Sequence, residues 1–141
     1  MVNSVDVNLI RKLCDKAGLS TRVSEDGERV LCILEADENF RHDVVMVLSP
    51  FDSGKRFDIS GYGGVKVPKE KLAEALMRIN KHHNDSICPK TCIDKDMDIV
   101  AQYSIWVEHD VSEEFLIEDF IQPVISTTWG FFRDNFSDYV K

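Results

Sequence analysis

The last third of the chain has almost no basic residues. Residues 94–141 hold three (Lys95, Arg133, Lys141) against 11 acidic ones. Residues 1–93 balance at 14 of each sign, so the whole net charge of −8 arises beyond them. The Lys/Arg stripe needed to neutralise phosphates is missing, which argues against nucleic acid as a partner. Long apolar runs are also missing. Nothing approaches the ~20 residues that cross a bilayer. The first apolar residues of MVNSVDVNLIRKLC are interrupted by Asn3, Asp6, Asn8 and Arg11, unlike a signal peptide. A cytoplasmic chain with no membrane association is the expectation. No linker or low-complexity segment divides the 141 residues, and one domain over 1–141 is expected. A core of that size buries roughly 70% of the unfolded surface.

Catalytic signatures are equally sparse. There is no G-x-S-x-G and no P-loop, and Gly61-Tyr62-Gly63-Gly64 lacks the following helix start that a dinucleotide fingerprint requires. His109, Asp110 and Ser112 lie within four residues at a helix start, whereas triads are assembled across a fold. Asp94, Asp96 and Asp98 alternate like a calcium loop. Ile99 stands where that loop needs Gly and Ile105 where it needs Glu, so a solvated hairpin turn is the better reading. No enzyme activity and no cofactor are expected.

Cysteine is present but unpatterned for disulfides. Cys14 and Cys32 fall on apolar faces, where thiols behave as small hydrophobes. His82, His83, Cys88 and Cys92 lie within eleven positions and offer zinc four suitable ligand types. Against that, C-x3-C enclosing Pro89 is not the usual zinc or redox spacing, and adjacent histidines on a helix point about 100° apart. The alternative to a site is a polar helix end followed by a loop and one buried strand cysteine.

Secondary-structure signals are clearer. Val5, Leu9, Leu13 and Ala17, with Ile10 and Cys14 beside them, predict an amphipathic helix over about Val5–Ala17, capped by Ser4 and closed by Gly18. Asp26-Gly27 predicts a hairpin between Thr21–Glu25 and Arg29–Ala36. The second of these strands is apolar on both faces and reads as covered or central. Val44–Leu48 reads as a buried strand ended by Ser49-Pro50, and Arg56–Tyr62 as an edge-like strand broken by the following glycines. Pro68 opens a second helix to about His82, with Leu72, Leu76, Ile79 and His83 on one side. A second hairpin joins Thr91–Asp94 to Ile99–Val107. A last helix begins near Asp110 or Ser112, carries the stripe Leu116, Phe120, Val124 and Thr127, and should kink at Pro123. The order α-ββββ-α-ββ-α predicts an α+β fold, an antiparallel sheet of five to six strands with three helices on one face or end.

The chain here resembles the YbjN-type domains, a bacterial family whose fold is similar to the type III secretion chaperones. The likeness is carried by the element order and by Leu76-Met77-Arg78-Ile79-Asn80, Thr91-Cys92-Ile93-Asp94-Lys95-Asp96, Ile99-Val100-Ala101-Gln102-Tyr103 and Val111-Ser112-Glu113-Glu114. It covers about residues 5–136. The resemblance implies a small, acidic, usually dimeric protein without catalytic residues, whose role is chaperone-like binding or sensory transduction regulation.

The last third carries 9 of the 13 aromatics as well as the charge. Core packing explains many of them, yet one helix cannot hide Trp129, Phe131, Phe132, Phe136 and Tyr139 on one stripe. With Trp106 they are expected to supply a dimer seam or partner surface rimmed by carboxylates. The function expected is a non-enzymatic, homodimeric protein-binding module. A small zinc- or thiol-dependent protein using Cys88 and Cys92 is the alternative.

Overall fold

The computed structural model describes residues 1–140 and shows six antiparallel strands backed on one face by three helices. Helix α1 spans Val7–Lys16. Its cap is Asp6, whose Oδ1 accepts from the Leu9 N–H at 2.8 Å, and Ile10, Leu13 and Cys14 form its buried side. The expected cap Ser4 lies outside the helix, which starts two residues later than expected, so that the carboxylate at position 6 takes the free N–H of the first turn. Strands β1 (Arg22–Val23), β2 (Val30–Leu34), β3 (Val44–Phe51) and β4 (Arg56–Lys66) follow as a meander. After a 3-10 turn at Lys69–Lys71 come α2 (Leu72–Asp85), β5 (Lys90–Ile93) and β6 (Asp98–Trp106). The sheet order is β1-β2-β3-β4-β6-β5.

Two strand expectations are corrected and a third is narrowed. Arg56–Tyr62 belongs to the central strand, paired with β3 on one side and β6 on the other, and it continues past the glycines to Lys66. The glycines sit there because the closing helix lies directly on them. A Cβ on Gly61 would come within 2.5 Å of the Thr128 methyl, and one on Gly63 within 2.7 Å of the Phe132 ring. Nor does Ser49-Pro50 end β3, which runs on to Phe51. Finally, β2, expected to be covered or central, lies inside the sheet between β1 and β3, but only one of its two apolar faces meets the helices.

The closing helix, α3, has three consecutive parts: a turn at Glu113–Phe115, a π segment at Leu116–Ile121, and an α segment at Gln122–Phe136. Ser112 caps its start, with its hydroxyl accepting from the Phe115 N–H at 3.0 Å. Pro123 produces no break. It falls in the first turn of the last segment, just after the wider π turn, where a missing N–H and a bulky ring are tolerated. The extra residue of the π turn moves the buried stripe by one position. Thr128 is therefore 1% exposed, whereas Thr127, the expected stripe residue, faces out and donates its hydroxyl to the Pro123 carbonyl at 2.7 Å.

That shift explains the aromatic tail. Phe132 packs on β4 and lies 5.8 Å from Phe40, which the Asp37 turn folds inward, with the carboxylate accepting from the Asn39 and Phe40 N–H groups. Phe131 points the other way, with its ring 4.7 Å from His82 of α2. Phe136 is also fully buried, 5.6 Å from Phe131. The α3 helix is covered on two sides, by the sheet and by α2, so it hides more than one stripe. Helix α2 itself is turned from its expected setting: Ala75 and Ile79 are buried, while Leu76 and Met77 are 49% and 72% exposed.

Candidate functional site

All three helices lie on one side of the sheet. Phe120 of α3 meets Phe57 at 4.9 Å, Thr128 and Phe132 meet the β4 glycines, and α1 packs on β2 and β3, with Cys14 and Cys32 buried in the same core. Alternate residues on each strand therefore point to the opposite face, which no helix covers.

Strand register aligns these outward side chains in rows. One row runs Ile33, Val45, Tyr62, Val100 and Cys92 from β2 to β5. Ile33 is 40% and Tyr62 42% exposed, and Val45 and Val100 are half-buried by their own neighbours. The next row is Leu31, Val47, Ser60, Gln102 and Lys90. A solvated sheet face usually alternates to polar residues, yet the first of these rows is apolar across five strands, and the second is apolar on β2 and β3.

At one end the face becomes aromatic. Phe51, Arg56 and Trp106 are cross-strand partners. The Arg56 guanidinium lies 4.6 Å from the centre of the Phe51 ring and 6.0 Å from that of Trp106. It donates to both oxygens of Asp58, at 3.0 and 3.3 Å, and to Asp52 at 3.4 Å. Asp58 points outward yet is only 5% exposed, because Arg56 lies over it. Trp106 remains 56% exposed, with Asp52 nearby and exposed Glu108 and Asp110 in the loop that follows.

Of the aromatics expected on a partner surface, only Trp106 stands free. Phe131, Phe132 and Phe136 are core residues, which corrects their assignment to a partner or dimer surface: α2 and the sheet together enclose them. Trp129 is half-buried beneath the Arg133 guanidinium at 4.9 Å. Tyr139 is half-buried edge-on to Phe136 at 5.1 Å, and the Lys71 and Arg78 cations each lie 5.0 Å from its ring. Sequence reasoning missed Tyr62 and the valine row. The signal was there, since β2 and β3 are apolar on both faces. Taking that as double coverage hid its meaning.

The histidine–cysteine group does not converge. His82 Nε2 donates to the Pro89 carbonyl at 3.2 Å, and burial pushes this imidazole below its ordinary pKa. His83 Nε2 takes the Thr91 N–H at 3.1 Å, with the Thr91 hydroxyl at 2.9 Å. Both rings thus strap α2 to the start of β5. Cys88 is half-buried, its sulfur 3.5 Å from Thr127 Oγ1, while Cys92, expected to be buried in its strand, stands exposed on the open face. Among the described residues no group of three or more His, Cys, Asp or Glu is placed to share a metal ion. Burial pushes the Cys14 thiol up to about 12 and raises Cys32 as well, so neither supplies a reactive thiolate.

A sheet backed by helices on one side and open on the other defines an α+β protein, and the family to which it belongs is described as regulatory. The chain belongs to the YbjN family, described as "Putative bacterial sensory transduction regulator", whose model matches residues 6–134. Its fold is similar to that of the crystal structure of "YbjN, a putative transcription regulator from E. coli", with a TM-score of 0.73 at 14% identity over 95% of this chain and 93% of that one. It is also similar to an uncharacterized protein from Methanothermobacter thermautotrophicus, with a TM-score of 0.55 at 15% identity over 94% and 97% of the two chains. No curated protein matches. Among the described residues no helix is long and apolar enough to cross a membrane.

Proposed function

We propose that this chain is a non-enzymatic, cytoplasmic, homodimeric protein-binding module, chaperone-like or regulatory, that acts through the Trp106 end of the open face of its sheet. The observation that carries the reading is Trp106, 56% exposed in the row of Phe51 and Arg56 at one end of that face, with exposed Asp52, Glu108 and Asp110 in the adjoining loops. Exposed aromatics beside carboxylates suit a protein segment with apolar and basic side chains, since an indole contributes area and the carboxylates contribute orientation. The family's regulator description and the unpaired state of all four cysteines, usual in a reducing compartment, support it.

The test compares single substitutions in proteins captured from the native cell. Trp106→Ala should abolish a specific, stoichiometric partner that Trp129→Ala retains. Equal retention by both variants refutes the assignment. Stoichiometric zinc in the purified protein, lost on Cys92→Ser, would replace this reading with the zinc-dependent one.

A further inference from the structure

We infer that the open face of the sheet is covered by the same face of a second copy of this chain, two single-layer sheets closing into a sandwich about a twofold axis. This rests on the reading of the chain as a homodimeric binding module and assigns that dimer its surface.

Area is the first argument. Strands about 4.8 Å apart and outward residues about 6.8 Å apart make the plate from β2 to β5 roughly 24 by 27 Å, or about 650 Å². Two such plates face to face remove about 1,300 Å² from water, within the range of stable specific interfaces. A single extended peptide would cover only one or two of the rows.

Charge is the second argument. Each copy carries −8, so two copies repel unless they meet where that charge is absent. This face is such a place. Its ends carry ion pairs, Arg56 with Asp58 at 3.0 Å and Lys66 with Asp98 at 3.6 Å. Its edges carry Arg22 and Lys90, both exposed, whose long stems can lie along the seam with the charges in water. Between them stand Ile33, Val45, Tyr62 and Val100 with no carboxylate, so a basic partner would find nothing there to pair with. Two twisted sheets pack at about −30° with side chains interdigitated. That angle leaves corners uncovered and suits an aromatic end at the margin of the seam, where Trp106 stays free.

Sedimentation equilibrium of the full chain from 1 to 100 µM tests this, with far-UV circular dichroism checking that each variant folds. The wild type should sediment at twice the chain mass. Val45→Lys and, separately, Tyr62→Lys should weaken the dimer at least about 100-fold, because each buries an uncompensated charge at the seam. Met77→Glu, on the exposed side of α2, should leave it unchanged. A dimer broken by Met77→Glu and spared by both lysine variants overturns the inference and leaves the dimeric reading intact. A wild-type monomer at 100 µM overturns both.

Discussion

Replacing Gly63 by alanine probes the contact that places the closing helix on the sheet. The new Cβ would lie 2.7, 2.9 and 2.9 Å from Cδ1, Cε1 and Cγ of Phe132, where ordinary contact begins near 3.4 Å. The ring cannot swing aside, since it is 0% exposed and packed 5.2 Å from Phe131 and 5.8 Å from Phe40. Relief requires that α3 move off β4 or that Phe132 leave its rotamer, and overpacking of this kind costs about 2 kcal/mol. For a chain of this length the melting temperature should fall by about 6–10 °C. Calorimetry of Gly63→Ala, Phe132→Leu and the double variant forms the assay. The smaller leucine leaves room for the methyl group, so the double variant should be more stable than the sum of the single losses by about 1 kcal/mol. A Gly63→Ala protein within about 0.5 kcal/mol of wild type, or strictly additive losses, would refute the close-approach account of this glycine.

Two further substitutions test the straps that hold α2 in place. Arg78 donates to Asp138 at 2.6 and 2.9 Å, to the Asn135 carbonyl at 2.7 Å and to Glu74 at 2.6 Å. Because Asp138 is largely exposed, Arg78→Met should cost only about 1 kcal/mol in urea denaturation at pH 7. The hydrogen bond from Arg78 holds the Asp138 carboxyl below its ordinary value of 3.8. The unfolded state thus takes up that proton first on acidification. Stability from the pair is complete above about pH 5, begins to fall as pH approaches the unfolded value, and is gone once pH has passed below the depressed one, a loss Arg78→Met should lack. His83→Phe should leave the Thr91 N–H without its acceptor beside a strand residue only 4% exposed. Amide exchange at Thr91 should then speed up about tenfold while the β4–β6 amides hold, and unchanged exchange would remove His83 as the strap.

Much of the architecture is written in local patterns. The Asp26-Gly27 turn, the alternation of Ile99–Val107, the Ser112 cap and the aspartates of the β5–β6 turn each act within a few residues. Their physics needs no distant partner: Asp94, for instance, accepts from the Asp96 and Asp98 N–H groups at 2.9 Å each. The candidate surface was only half legible. Trp106 at the end of a strand is exposed by its position, whereas Phe131, Phe132 and Phe136 looked like surplus because a one-stripe helix was assumed.

The sequence by itself determined the order of elements, the antiparallel hairpins, the concentration of acidic charge in the last third and the family to which the chain belongs, since each depends on spacing and turn chemistry along the chain. Only the tertiary structure decided which apolar face is covered. Periodicity shows that a side of a strand or helix is apolar. Whether that side meets a helix, a second layer or water depends on where the other elements pack. Here the π turn before Pro123 and the placement of α2 draw the aromatic tail inward. They leave the valine row of the sheet and Trp106 to face outward.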